Sequence, residues 1–334
     1  MTLAYDALLI VSFGGPEGPD EVLPFLDNVL RGRNVPQERK LEVAEHYQLF
    51  GGVSPLNAQN RALIAAVEAE LAVSGPHLPV YWGNRNWQPM LADTLAQMAT
   101  DGINRALALF TSAFSSYSGC RQYQENIAEA RAQVGDRAPQ IDKLRGFFNH
   151  PGFIEPMAER VRDALAQIPI NRRQAAALVF TAHSIPTEMA RGCQYVEQLN
   201  EASRLVAGLV GYPDWQLAYQ SRSGSPRQPW LEPDINDVVR GLAAAGTRDV
   251  VVVPIGFTSD HMEVVFDLDT EARATADEVG INLVRAGTVG VHPRFVRMIR
   301  ELIVERLTPD APRPALGVLG PRPDRCETGC CPAK

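Results

Sequence analysis

Two polar segments stand out because each closes an apolar run. Ala182-His-Ser-Ile-Pro186 follows Ala175–Thr181, and Gly256-Phe-Thr-Ser-Asp-His-Met-Glu263 follows Val250–Ile255. Runs of this length and character read as parallel strands buried on both faces, and ligands of open α/β sheets bind beyond the carboxyl ends of such strands. The pattern therefore aims the His183 imidazole and the Glu263 carboxylate at one cleft. An imidazole titrates near neutrality and a carboxylate offers oxygen donors, so the pair suits taking protons from a substrate while handing it a divalent cation.

The residues around this pair sharpen the reading. Pro186 lacks an N–H and disfavours helix at Ile185, so the chain turns directly after the first run and holds His183 at a strand tip. Asp260 with Glu263 three positions later forms a capping-box pattern, which predicts a helix with Glu263 in its first turn. Capping explains one carboxylate. It does not explain Glu263, Asp267 and Glu271, which recur every four residues and stack on one helical face. Like charges at that spacing repel by a few tenths of a kcal/mol per pair, roughly, and a cation relieves the repulsion. A solvated acidic face is the bland alternative. Carboxylates with one imidazole suit an ion such as Fe²⁺ held in passing, with Asp267 and Glu271 as the acidic approach. The His261-x-Glu263 pair lacks the Pro-Cys-x-x-Cys of zinc deaminases, which sets deamination aside.

The first part of the chain carries different groups. Phe13-Gly-Gly-Pro16 ends a strand pattern, and Phe50-Gly-Gly-Val-Ser-Pro55 precedes a helix pattern; such glycines let backbone approach a flat ligand. No Gly-x-Gly-x-x-Gly fingerprint, phosphate loop or Gly-x-Ser-x-Gly elbow occurs, which argues against nucleotide binding and serine hydrolysis. Instead His46, Tyr47, Phe50, Trp82, Trp87, Phe114, Tyr117 and Tyr123 gather near predicted strand ends. Each alone is more often core than ligand. Together they point to a large planar, anionic guest, with Arg31 and Arg33 available for carboxylates.

The elements that must position these groups alternate. Strand-length apolar runs at Ala7–Phe13, Val80–Trp82, Arg105–Thr111, Ala175–Thr181, Gln216–Gln220 and Val250–Ile255 are separated by amphipathic helix patterns at Asn57–Ala72, Gln88–Thr100, Gln124–Val134, Gly152–Ala166 and Val196–Val210. Asp101-Gly-Ile-Asn-Arg leads into its strand much as Ala245-Gly-Thr-Arg-Asp leads into its own. The expected fold is α/β, with two similar doubly wound, parallel-sheet units over residues 1–148 and 149–307. The last helix is free to pack back on the first unit, and residues 308–334 form an irregular, cysteine-containing tail.

Length, charge and hydropathy are consistent with this plan. The 334 residues exceed one comfortable core, and 45% hydrophobic with 21% charged residues is ordinary for a globular chain. A net charge of −7 with scattered arginines argues against nucleic acid. No apolar stretch is long enough to span a bilayer and no basic leader precedes the first strand pattern, so a cytoplasmic protein without integral membrane association is expected; a monomer is expected separately. In that compartment the five cysteines are not expected to form structural disulfides, and Cys326, Cys330 and Cys331 fall within the last nine residues. Three thiolates leave zinc or an iron–sulfur cluster one ligand short; Cys120 or Cys193 can supply it, and Cys120, in a Ser-Gly loop after a strand, is preferred. A reactive tail is the alternative.

Assembled, these segments resemble the ferrochelatase family, and in particular the actinobacterial coproporphyrin III type. The resemblance rests on Phe13-Gly-Gly-Pro16, Gly51-Gly-Val-Ser-Pro55, Gly83-Asn-Arg-Asn-Trp87, Tyr117-Ser-Gly-Cys-Arg-Gln-Tyr123, Ala182-His-Ser-Ile-Pro186, Gln220-Ser-Arg-Ser-Gly224, Trp230-Leu-Glu-Pro233 and Pro254–Glu263, and it covers nearly the whole chain. It implies two Rossmann-like domains around a porphyrin cleft, His183 and Glu263 as the iron-site pair, and Ser54 and Tyr123 against the porphyrin. His46 and Tyr47 match a pair that lies near a propionate in relatives. Phe13 stands where other bacterial members carry a tyrosine able to ligate product iron, and Leu30 stands where they carry an arginine that neighbouring Arg31 would have to replace.

The resemblance also implies a [2Fe–2S] cluster, on Cys326, Cys330, Cys331 and the internal Cys120. The expected reaction is insertion of Fe²⁺ into coproporphyrin III, with a distorted macrocycle exposing its nitrogens and two protons released. The charged Arg31–Gln48 stretch favours coproporphyrin over protoporphyrin IX, since a membrane-docking lip would be apolar there. A chelatase for another metal or tetrapyrrole, and a cytoplasmic haem carrier, are the alternatives.

Overall fold

The computed structural model describes residues 4–32, 35–223, 227–327 and 329–333. Its chain divides into two compact units: Met1–Thr111, Gln122–Leu144 and Ile299–Ala311 form one, and Ser112–Arg121, Arg145–Met298 and Pro312–Lys334 the other.

In the first unit β1 (Ala7–Ser12), β2 (Val80–Asn84), β3 (Arg105–Phe110) and β4 (Gln140–Lys143) form a parallel sheet in the order β2-β1-β3-β4. β1 is buried along its whole length because it lies inside the sheet with side chains on both faces. Ala7, Leu9 and Val11 pack against Leu91, Leu95 and Met98 of helix Leu91–Thr100 and against Tyr123 and Ile127 of helix Gln122–Val134. Fully burying each such aliphatic side chain is worth about 1.5–3 kcal/mol.

The second unit repeats the plan. β5 (Ala177–His183), β6 (Trp215–Gln220), β7 (Asp249–Val253) and β8 (Asn282–Arg285) are parallel in the order β6-β5-β7-β8. Val179, Val250 and Val252 pack against Ile235 and Val239 of helix Ile235–Ala244 and against Leu268, Ala272 and Ala276. Each unit is Rossmann-like. In each the strand order reverses between the first and third strands, β1 and β3 or β5 and β7, and a ligand crevice belongs beyond the carboxyl ends of those strands.

Several boundaries differ from the sequence reading. β5 starts two residues later than its apolar run, because Arg173–Ala175 closes as a short 3₁₀ turn. It also runs two residues past Thr181 and ends on His183, the strand-tip position expected for the imidazole. β7 stops at Val253, since Pro254 brings no N–H to continue the ladder. β4 and β8 are additional edge strands of four residues each. Phe114 belongs to the second unit, buried among Phe148, Phe153 and Tyr195, and does not join the aromatic group of the first.

The C-terminal stretch is irregular but fastened. Arg145 donates to the Pro314 carbonyl at 2.9 Å, Asn149 donates to Leu316 and Gly320 carbonyls at 3.1 and 2.9 Å, and Glu201 accepts from the Val318 N–H at 2.8 Å. Buried polar side chains of the second unit thus satisfy the backbone of a segment with no regular structure of its own. No helix among the described residues is long and apolar enough to cross a membrane.

Candidate active site

The second unit's switch point is built by close approach of two strand ends. The Gly256 N–H donates to the Thr181 carbonyl at 3.0 Å, and a Cβ on Gly256 would lie 2.6 Å from that of Ala182. Only glycine lets the segment after β7 pass so near β5. His183 is held from its other side: the Tyr195 hydroxyl donates to its carbonyl at 3.0 Å, and the Ser184 N–H donates to Gln220 at 2.8 Å. The turn that follows is tied to the Trp230 segment, with Leu231 N–H donating to Ile185 at 3.0 Å and the Ser184 hydroxyl donating to the Leu231 carbonyl at 2.9 Å.

On this frame His183 Nε2 lies 3.1 Å from Glu263 Oε1, and Nδ1 faces the Ser184 carbonyl. Both ring nitrogens meet acceptors, an arrangement that the doubly protonated imidazolium satisfies. Burial alone would depress the imidazole, but the Glu263 charge and hydrogen bond, the Ser184 carbonyl and Asp267 outweigh it and hold the pKa up at about 9. Burial alone would raise Glu263; His183 and then His261 outweigh that and hold it down at about 2. The metal-free pair is therefore ionic at neutral pH.

The cap of the Glu263 helix is not the expected one. His261 is the N-cap of Met262–Val265, its Nδ1 accepting from the Glu263 N–H at 3.1 Å. Asp260 instead accepts from Arg285 at 3.2 Å and from the Thr288 hydroxyl at 3.2 Å, and Arg285 is shared with Asp269 at 2.7 Å. A guanidinium that binds two carboxylates outcompetes a backbone N–H for Asp260. Glu263 still falls in the first turn.

Beyond it the helix widens into a π turn over Asp267–Ala272, with the Glu271 N–H reaching the Phe266 carbonyl at 3.0 Å. The three ladder carboxylates remain electrostatic neighbours. Burial first, then Glu263 and Glu271, push the Asp267 carboxyl up to about 7 against a lowering hydrogen bond from Ser221. Glu271 is exposed, while Asp267 and Glu263 are half-buried, so the carboxylates grade from solvent toward His183.

In the first unit, Ser54 and Tyr123 are buried and Phe13 is at the surface. A Cβ on Gly15 would lie 2.6 Å from that of Ser54, so the glycine pair after β1 brings that loop directly onto Ser54. Tyr123 stacks on Phe110 with centroids 5.1 Å apart. The Arg85 guanidinium lies 4.6 Å from the Tyr123 ring centroid and 5.6 Å from that of Phe13, and donates to Asn126 at 2.7 Å. Arg85 was not among the sequence candidates, although it lies in the Gly83–Trp87 motif. Beneath the loop Asn57 donates to Gly15, Glu17 and Gln88, and Asn60 donates to Ser12.

Three further candidates sit at the edge of this group. Tyr47 packs edge-on to Phe25 at 5.8 Å within a small core that also holds Val22, Leu26 and Trp87. His46 is on the same helix, its pKa lowered by burial and by Arg39. Arg31 is exposed and donates to Asn28 at 2.5 Å; Arg33 lies outside the described residues.

Cys120, Cys193, Cys330 and Cys331 converge within the second unit. Cys330 and Cys331 sulfurs are 3.4 Å apart, and Pro332 packs directly on Gly192, beside Cys193. Cys331 is buried, and burial, the Cys330 contact and the nearby Cys120 and Cys193 raise its thiol well above the ordinary range. A group of soft sulfur donors of this kind suits iron–sulfur chemistry. Among the described residues no three His, Cys, Asp or Glu side chains stand in a geometry that holds a metal ion.

Comparison with known proteins follows the same lines. A family model described as Ferrochelatase matches residues 5–307. The chain is 57% identical over 328 residues to a ferrochelatase of Rhodopirellula baltica, covering 98% of this chain and 93% of that one. It is 53% identical over 353 residues to a coproporphyrin III ferrochelatase of Streptomyces griseus (99% and 94% covered) and 55% identical over 341 residues to one of Frankia alni (98% and 87%). Among solved structures SirB of Bacillus subtilis with Fe³⁺ superposes with a TM-score of 0.53 at 13% identity, covering 89% of this chain and 94% of that one, a likeness of fold. With the motif residues gathered at the strand ends of two Rossmann-like units, these matches lead to one conclusion: the chain belongs to the ferrochelatase family.

Proposed function

We propose that this protein inserts Fe²⁺ into coproporphyrin III, with His183 and Glu263 as the residues that perform the exchange of two protons for one ion. The observation that carries the reading is the 3.1 Å His183–Glu263 contact at the switch point of the second sheet, with Asp267 and Glu271 continuing the carboxylates toward solvent. Iron is substrate here. It approaches along Glu271 and Asp267 and reaches Glu263. Its charge there offsets the carboxylate that keeps His183 protonated, so the imidazole releases its proton to water and then accepts the two pyrrole protons in turn, passing each to water as the ion enters.

The macrocycle is held by groups of the first unit: Ser54, Tyr123 and Phe13, with His46, Tyr47 and Arg31 toward its carboxylates. The Gly14–Gly15 turn and the Arg85 stack support a flat, anionic guest. Phe13 supplies apolar surface and no ligand to product iron. Coproporphyrin III as the substrate is supported by the names of the relatives from Streptomyces and Frankia and by the charged helix Gln37–Gln48. All the named residues come from one chain, so a monomer suffices, and cysteines that form no disulfide among the described residues suit the cytoplasm.

The thiol group fits a [2Fe–2S] cluster in donor type, and Cys120, Cys326, Cys330 and Cys331 would hold it. Bound there, it would supply a one-electron redox centre. The fastened Pro312–Gly320 segment supports the reading by bringing the tail cysteines onto the same unit as Cys120.

The test is anaerobic Fe²⁺ insertion into coproporphyrin III and protoporphyrin IX side by side. Faster turnover of coproporphyrin III is expected; equal or faster turnover of protoporphyrin IX would overturn the substrate assignment.

A further inference from the structure

The end of β6 grips the carboxylate helix at two consecutive residues. Gln220 is 1% exposed, and its side-chain amide donates to the Glu263 carbonyl. The donor must be its nitrogen, since the partner is a carbonyl, and among the described residues its buried Oε1 meets no hydrogen-bond partner. Next to it the Ser221 hydroxyl donates to Asp267 Oδ2. Ser221 holds φ at +61°, a left-handed conformation that a serine adopts at a cost and that clusters at functional sites. The strained backbone turns this hydroxyl onto a carboxylate that the helix alone leaves between two like charges, Glu263 and Glu271.

From this geometry we infer that Ser221 is a positioning residue for metal delivery: its hydroxyl fixes the Asp267 carboxylate beside Glu263, while Gln220 fixes the Glu263 backbone. The inference rests on the ferrochelatase reading of the site and adds to it a residue that never touches iron or the macrocycle. Ser221 acts on the metal through Asp267, so its effect falls on metal capture and not on the macrocycle.

Two variants separate hydroxyl from backbone. Ser221→Ala removes the donor and keeps the strain; Ser221→Gly removes the donor and relieves the strain. Both should raise the KM for Fe²⁺ about tenfold, the scale of one hydrogen bond to a charged group. The KM for coproporphyrin III and kcat at saturating iron should stay within about twofold, judged by that same scale. Ser221→Asn tolerates the left-handed region and carries an N–H donor, so it should restore the metal KM. Thermal unfolding checks that each variant folds. A second readout is Zn²⁺ binding to the porphyrin-free protein by calorimetry, weakened equally in the Ala and Gly variants. Unchanged metal KM and affinity in both, an effect in Ala alone, or a rise in the coproporphyrin KM instead would overturn the inference. Failure of the wild-type protein to metallate any tetrapyrrole would refute the activity and leave the Zn²⁺ comparison still able to decide the role of Ser221.

Discussion

The two units share a strand order and a switch point, yet they place opposite chemistry there. Beyond β1 and β3 stand glycines, a phenyl ring, a buried serine and a tyrosine under an arginine. Beyond β5 and β7 stand an imidazolium, its carboxylate partner and a second carboxylate whose pKa is pushed up to about 7. The scaffold determines where a ligand can sit, and the loops determine what is done to it. A surface meant to hold a flat ring needs close backbone approach and polarisable faces. A surface meant to exchange protons for a cation needs groups whose charges oppose one another.

The comparison is broken most severely at Glu263. Glu263→Gln should lower iron insertion by about 10²–10⁴-fold, the range for losing a group that takes part in proton transfer. It should also bring the His183 titration, followed by imidazole NMR in metal-free protein, down from about 9 toward its ordinary 6.5 or below. The linked stability has a definite sign. The raised His183 value contributes stability present below 6.5 and lost as pH rises through about 9, and the lowered Glu263 value contributes stability present above 4.5 and lost as pH falls through about 2.

The first unit is probed at Arg85. Arg85→Gln removes a cation from the faces of Tyr123 and Phe13, an interaction worth roughly 0.5–2 kcal/mol, and should weaken coproporphyrin binding about threefold to tenfold by fluorescence quenching while leaving Zn²⁺ affinity unchanged. The smallest effect read on stability alone is expected at Asp267. Its raised pKa means the folded state disfavours the charged form, so a penalty absent below about 3.8 is fully in place above about 7. Asp267→Asn should therefore raise the Tm by about 2–4 °C at pH 8 and leave it unchanged at pH 3.5, read by calorimetry.

Much of the frame was legible because buried parallel strands are continuous apolar runs: β1, β3, β5 and β7 each coincide with one. The edge strands β4, Gln-Ile-Asp-Lys, and β8, Asn-Leu-Val-Arg, were not, since an edge strand of four residues with polar positions has no pattern distinguishing it from a loop. His183 and Glu263 were legible as strand-end groups, but the cap was misread: Asp260 has the right type and spacing, and only the fold brings Arg285 to it from β8. The π turn at Asp267–Ala272 was invisible, because residues four apart share a face in the α pattern that the spacing suggested. Ser221 and Arg85 escaped for a related reason. Each acts through partners 46 and 38 positions away, Asp267 and Tyr123, and neither residue type alone announces that role.

The division of labour between the units is tested most directly by one pair of readings on His183→Ala: initial rate of Fe²⁺ insertion into coproporphyrin III, and coproporphyrin III affinity, on the same folded sample. Insertion lost by about 10²-fold or more, with affinity within about twofold of the wild type, is the expected result. Retained turnover, or affinity lost in step with turnover, would contradict the account.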